Sequence, residues 1–187
     1  MRMGRSTLLA AWLVLLVLTL AGCGAQASGG APAPRSAPPA SAAAQAAPGR
    51  QAPNFSIKTL DGKTFELSKE QGRVVALYFM AGWCGSCIPE SKAWSELYPR
   101  YHKKGLDLLI ISVDPRDDAK TIAAFRRAGN IRPLPWAVDR SGTVARRLGV
   151  SSLDTTIIID RKGKIVYRDA APTPKSKLEQ VLEKEGL

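Results

Sequence analysis

Val74-Val75-Ala76-Leu77-Tyr78-Phe79-Met80, then Trp83-Cys84-Gly85-Ser86-Cys87, is the stretch that decides how this chain folds. The first run is continuously apolar and β-rich, the pattern of a strand covered on both faces. The spacing after Cys84 is helical to about Lys103, with Ile88, Ser91, Trp94, Leu97, Tyr98 and Tyr101 on one side. Pro99 is expected to kink that helix or end it early. A strand that delivers Cys-x-x-Cys to a helix N-terminus is a dithiol redox device. Partial positive charge and free N–H groups at the helix end favour a thiolate. A free thiol titrates near ~8.5, and such a setting lowers that by one to several units, enough for attack on a disulfide at neutral pH.

Upstream, Arg2 and Arg5 precede the uncharged run Thr7 to Leu20, and Leu20-Ala21-Gly22-Cys23 follows. A basic start, an apolar middle and small residues form a secretory leader. The run is shorter than the ~20 residues of a spanning helix. Gly24 to Gly49 is Ala-, Pro-, Gly- and Ser-rich with Arg35 as its one charge, and reads as a flexible tether. The expected organisation is therefore a leader over 1–22, Cys23 with a tether over 23–50, and one domain over 51–187.

Cys84 and Cys87 are two of only three cysteines, and His102 is the only histidine. This excludes a disulfide-stapled mini-protein and gives a Cys/His zinc site little support. The net charge of +11 is spread along the chain, not gathered in one block with aromatics. No nucleic-acid partner is expected, and a basic surface beside anionic lipid is the plainer reading.

Within the domain, Asp61-Gly62 separates Phe55–Leu60 from Lys63–Leu67 and marks a β-hairpin. Strands are expected at Arg73–Met80, Leu106–Val113, Trp136–Val138, Thr155–Ile159 and Lys164–Arg168. Helices are expected at Asp117–Ala128, at Thr143–Leu148 and after Pro174. Asp114, Asp117 and Asp118 are read as caps of the helix they precede, not as a metal cluster. The early alternation gives parallel strands, and the tight turn at 160–163 gives an antiparallel pair. The fold class is α/β: a mixed central sheet, helices on both faces and an N-terminal β-hairpin.

The chain resembles the thioredoxin fold. More closely, it is similar to the TlpA-like extracytoplasmic disulfide reductases of the alkyl hydroperoxide reductase/thiol-specific antioxidant superfamily. The matching pieces are Ala52-Pro53-Asn54-Phe55, Asp61-Gly62-Lys63, Trp83-Cys84-Gly85-Ser86-Cys87, Ser112-Val113-Asp114 and Ile159-Asp160-Arg161-Lys162-Gly163-Lys164-Ile165. Leu20-Ala21-Gly22-Cys23 in turn resembles a bacterial lipobox, which implies lipid on Cys23 and a membrane-anchored extracytoplasmic lipoprotein. The resemblance implies Cys84 as attacking thiolate and Cys87 as resolving thiol, with Gly85 and Ser86 modulating their potential. It implies Glu90 as the carboxylate that tunes the thiols. Trp83 is either a shield and docking face or plain core. The implied partners are disulfide-containing exported proteins, apocytochrome c among them, and a membrane thiol electron donor. No cofactor or metal is expected beyond the redox-active Cys84–Cys87 disulfide.

The chain departs from the pattern at Asp154. Thioredoxin folds usually have a cis-proline there, facing the cysteines, before the Thr155-Thr156 pair that opens the penultimate strand. A non-proline cis bond costs ~3 kcal/mol, so a trans bond or a rearranged loop is expected. Asp154 near Cys84 would raise its pKa, and could give one oxygen to a metal; the alternative is an outward-facing cap. Two other functions compete. A thiol peroxidase needs Pro-x-x-x-Thr-x-x before its cysteine, and Leu77 to Trp83 lacks both Pro and Thr. A non-catalytic binding lipoprotein leaves the intact Trp-Cys-Gly-Ser-Cys unexplained.

Overall fold

The computed structural model describes residues 46–187. The expected leader, Cys23 and most of the expected tether lie outside the described residues. Among those described, no helix is long and apolar enough to cross a membrane.

A small hairpin comes first, β1 (Ser56–Lys58) paired antiparallel with β2 (Thr64–Glu66). The turn between them contains Gly62 at φ 86°, a left-handed conformation that glycine adopts without steric cost. A short 3₁₀ turn at Leu67–Glu70, not expected from the sequence, leads to β3 (Val74–Met80). Then come α1 (Cys87–His102), β4 (Leu106–Ser112), α2 (Ala119–Ala128) and β5 (Trp136–Val138). The chain closes with α3 (Thr143–Arg147), β6 (Thr155–Ile159), β7 (Ile165–Arg168) and α4 (Lys175–Lys184).

The main sheet has five strands in the order β5-β4-β3-β6-β7. β3 is parallel to β4, and β4 to β5, while β6 runs antiparallel to both β3 and β7. β3 is buried along its whole length, which is why its sequence shows no alternation. Its even-numbered side chains, Val74 to Met80, join Trp94, Leu97 and Tyr101 of α1, Ile122 and Phe125 of α2, and Leu178 and Leu182 of α4. Its odd-numbered side chains meet Phe55, Leu67, Val144 and Leu148 on the opposite face. Each large side chain sealed this way contributes about 1.5–3 kcal/mol.

α1 starts at Cys87 and not at Cys84, because residues 81–86 are spent in turns. Pro99 sits inside α1 without ending it. Asp118 caps α2, accepting from the Lys120 and Thr121 amides, and Thr121 completes a reciprocal capping box. Asp114 and Asp117 do not cap it.

Both lateral strands have further chain against them. Gly49 N–H donates to Ile165 O at 2.7 Å, Ile165 N–H donates to Arg50 O at 2.9 Å, and Ala46 is fully buried. The last residues of the expected tether are thus packed on the domain. On the other side, Leu60 N–H donates to Trp136 O at 2.7 Å, and Thr59 bridges to Ala137.

Two registers fix the site. Phe79 pairs with Thr155, which sets residue 154 beside the end of β3. Met80 pairs with Ser112, which sets the Asp114–Asp118 turn beside residues 81–83.

Candidate active site

At the carboxyl end of β3 the chain leaves the sheet and turns twice before α1. The Cys84 amide donates to Ala81 O at 2.9 Å, and the Cys87 amide to Cys84 O at 3.2 Å. Cys84 and Cys87 form a disulfide with an S–S distance of 2.05 Å and Cα atoms 5.4 Å apart. Cys87 is fully buried at the first turn of α1, whereas Cys84 retains 5 % of its surface between exposed Trp83 and Gly85.

Two carboxylates from the β4–α2 turn brace the approach to Cys84. Asp117 is buried and accepts from the Gly82 amide at 2.6 Å and from the Ser112 hydroxyl at 2.5 Å. Asp114 accepts from the Trp83 indole N–H at 2.8 Å and from the Arg116 guanidinium. Those Arg116 bonds, aided by Trp83, hold the Asp114 carboxyl well below the usual range. Trp83 itself is 68 % exposed, so of its two readings the core one is overturned: its N–H is tethered and its ring faces outward.

Asp154 turns inward, so the outward cap is also overturned. It is buried and sits at φ 55°, a left-handed conformation uncommon outside glycine but tolerated by Asp and Asn. One carboxylate oxygen accepts from the Tyr78 hydroxyl at 2.7 Å, the other from the Ser86 hydroxyl at 2.9 Å. Ser86 Oγ is in turn 3.3 Å from Cys84 Sγ. Burial, then the charges of Glu90 and Asp154, push the Tyr78 phenol far above its usual range, so Tyr78 is a permanent donor. Both sulfurs and one Asp154 oxygen lie within 4.8 Å of one another. The Thr155 hydroxyl donates to Ser152 O at 2.8 Å, holding the loop that carries Asp154.

Glu90 lies in the first turn of α1, yet only 1 % of its surface is exposed. Its Oε1 accepts from the Thr156 hydroxyl and its Oε2 from the Thr173 amide at 2.7 Å. Burial pushes its carboxyl up to about 7, against these two hydrogen bonds and with help from the Asp169 charge. The Trp94 indole N–H has no well-formed partner, and its proximity favours the charged form of Glu90. Asp169 ties the Glu90 partners together, accepting from the Thr156 amide and from the Tyr167 and Thr173 hydroxyls.

Tyr78, Thr156, Thr173 and Asp169 were missed as site residues. The available signal was a hydroxyl at Tyr78 inside an otherwise apolar central strand, and Asp154 diagonally across the sheet. His102 lies away from the site with Arg73 and Asp107.

A disulfide of adjacent-turn cysteines, set where a central strand hands over to a helix in a five-stranded mixed sheet, defines a thioredoxin-like thiol-disulfide oxidoreductase. Residues 48–168 match the AhpC/TSA family, and the chain belongs to that family. It is 34 % identical over 136 residues to the thiol-disulfide oxidoreductase ResA of Bacillus thuringiensis subsp. konkukian, covering 73 % of this chain and 77 % of the relative. ResA of Geobacillus thermodenitrificans is 33 % identical, with 72 % and 76 % covered. Among solved structures, a putative thiol:disulfide interchange protein DsbE from Chlorobium tepidum superposes with TM-score 0.66 and 27 % identity over 74 % of this chain and 97 % of that one. The exposed lipoprotein thioredoxin Etrx1 of Streptococcus pneumoniae gives TM-score 0.61 and 26 % identity, covering 71 % and 99 %.

Proposed function

We propose that this oxidoreductase works as a reductant of disulfides in exported proteins, held at the membrane by lipid on Cys23. The observation that carries the reading is the unequal burial of the pair: Cys84 lies beside exposed Trp83, and Cys87 is sealed beneath it. In the dithiol state the Cys84 thiolate attacks one sulfur of a partner disulfide. A mixed disulfide forms and the other partner sulfur leaves as thiolate. The Cys87 thiolate then attacks Cys84 Sγ, closing the internal disulfide and releasing the second partner thiolate. Two electrons pass from the pair to the partner. A membrane thiol donor restores the dithiol by the reverse exchange.

Glu90 is assigned as acceptor of the Cys87 proton. It lies one turn further along α1, and with its carboxyl near 7 it exchanges a proton at working pH. Trp83 supplies the apolar edge on which a partner rests. Gly85 and Ser86 shape the turn between the sulfurs. Asp154, through Ser86, makes the Cys84 thiolate less favourable. Apocytochrome c, with its own Cys-x-x-Cys, is one partner of suitable chemistry. The lipoprotein reading draws support from Leu20-Ala21-Gly22-Cys23 and from the structural relative described as an exposed lipoprotein.

Reduction of insulin by a dithiol donor tests the catalytic part. Turnover in the native chain and its loss in Cys84→Ser are expected; no native turnover refutes the reading. A reduction potential near thioredoxin's ~−270 mV supports a reductant, and one near ~−120 mV an oxidant. Lipid labelling lost in Cys23→Ser tests the anchor.

A further inference from the structure

Cys84 Sγ, Cys87 Sγ and one Asp154 oxygen form a compact S₂O group, all within 4.8 Å of one another. In the disulfide the sulfurs can take no metal. Once reduced, they become two thiolates packed against a carboxylate. Three like charges at this distance repel, and a cation between them reverses the sign of each interaction. Tetrahedral zinc needs sulfur at ~2.3 Å and oxygen at ~2.0–2.2 Å, which puts its ligand atoms roughly 3.6–3.8 Å apart. The observed group has that scale, needing only the separation that breaking the S–S bond allows.

The surroundings fit a ligating carboxylate. Each Asp154 oxygen accepts one hydroxyl, from Tyr78 at 2.7 Å or Ser86 at 2.9 Å, and keeps a second lone pair free. Hydrogen bonds of this kind fix the direction of a metal-binding carboxylate. Tyr78 stands on a strand buried throughout, so Asp154 is held before any metal arrives. Two thiolates in the donor set favour zinc over magnesium or calcium.

We propose that the reduced chain binds one thiophilic divalent cation, zinc in type, through Cys84, Cys87 and Asp154. This goes beyond the proposed reductant and rests on that reading only for the dithiol state. Binding exchanges two thiol protons for one Zn²⁺. Metal and disulfide exclude each other: when both thiolates give their two electrons to a partner disulfide, the S–S bond forms, the partner leaves as two thiolates and Zn²⁺ is released. The occupied form also protects Cys84 from adventitious oxidation.

The test uses the full chain carrying Cys23→Ser, reduced anaerobically, with free thiols counted first. Titration with Co²⁺ is expected to give one equivalent, a thiolate charge-transfer band and the visible bands of a tetrahedral ion, all displaced by Zn²⁺. Asp154→Asn suits φ 55° and is expected to lower Zn²⁺ affinity at least about 10-fold against a competing chelator, with both thiols still counted. Asp154→Gly, which also accepts that φ, is the second variant if the first fails to fold. Two free thiols with no Co²⁺ bands, or equal Zn²⁺ affinity in the native chain and the Asp154 variants, overturns this proposal alone. Failure of the pair to yield two thiols overturns the proposed redox cycle with it.

Discussion

Replacing Asp154 by Asn removes a negative charge from the neighbourhood of Cys84 with almost no change of shape. The carboxylate oxygen lies within 4.8 Å of the sulfur. Two unit charges at that distance repel by about 3.5 kcal/mol at an effective dielectric constant of ~20. At 1.36 kcal/mol per pH unit that is about 2.5 units, and solvent at the Cys84 edge reduces it to roughly 1–2. The sign is definite: removing the carboxylate stabilises the thiolate, so the Cys84 pKa falls. The assay is the pH dependence of iodoacetamide alkylation of the reduced chain, with a chelator present, in native and Asp154→Asn proteins. The variant is expected to alkylate faster below pH 7, with its inflection about 1–2 units lower. Equal inflections in two proteins of equal fold refute the electrostatic role. Asp154→Pro is a poorer probe than the family pattern suggests. Proline fixes φ near −65°, so it cannot occupy φ 55° and rearranges the loop as well as removing the charge.

Glu90 couples folding to pH. Its folded pKa, near 7, lies above the ordinary 4.5. The native state therefore holds an extra proton between those values, and stability falls as pH rises from about 4.5 to 7. Glu90→Gln is expected to flatten that slope, worth about 2–3 kcal/mol, in urea unfolding at pH 5 and 8; an unchanged slope refutes the assignment. Tyr78→Phe strips Asp154 of a buried donor and is expected to cost about 1–3 kcal/mol of unfolding free energy. In Gly82→Ala the new Cβ falls 2.8 Å from Asp117 Oδ1, so the brace must shift. Unfolding is expected to become easier by about 1–3 kcal/mol, with slower turnover of disulfide substrate. Trp83→Ala is expected to leave the melting temperature within a few degrees, because the ring is 68 % exposed, while raising KM for protein substrates.

The fold was largely legible because its elements are signalled locally. β3 is an unbroken run of apolar and aromatic residues, β4 is apolar apart from Asp107 and its terminal Ser112, and Trp136–Val138 and Thr155–Ile159 match the observed strands to the residue. The start of α1 was not legible: nothing local says that Cys84 closes one turn while Cys87 opens the helix. Of the site, the cysteine pair was plain, since its spacing carries its chemistry. The roles of the acids were not. Asp114, Asp117 and Asp118 look alike in sequence, yet one caps a helix and two hold residues 82 and 83. That division depends on the parallel register of Met80 with Ser112, a long-range fact. The same limit applies to Tyr78 and Asp154, separated by 76 positions and joined only by the antiparallel β3–β6 pairing.

The lateral strands of the sheet have a consequence of another kind. An exposed strand edge is a template on which a second chain can extend the sheet. Here β5 is met by Leu60 and Thr59 of the hairpin loop, and β7 by Gly49 and Arg50. The Ile165 N–H and carbonyl and the Trp136 carbonyl on these flanks are already hydrogen-bonded by the chain's own backbone. Those contacts hinder a second chain from adding a strand along the flanks, and they leave the end of the sheet that carries Cys84 beside exposed Trp83 as the open approach.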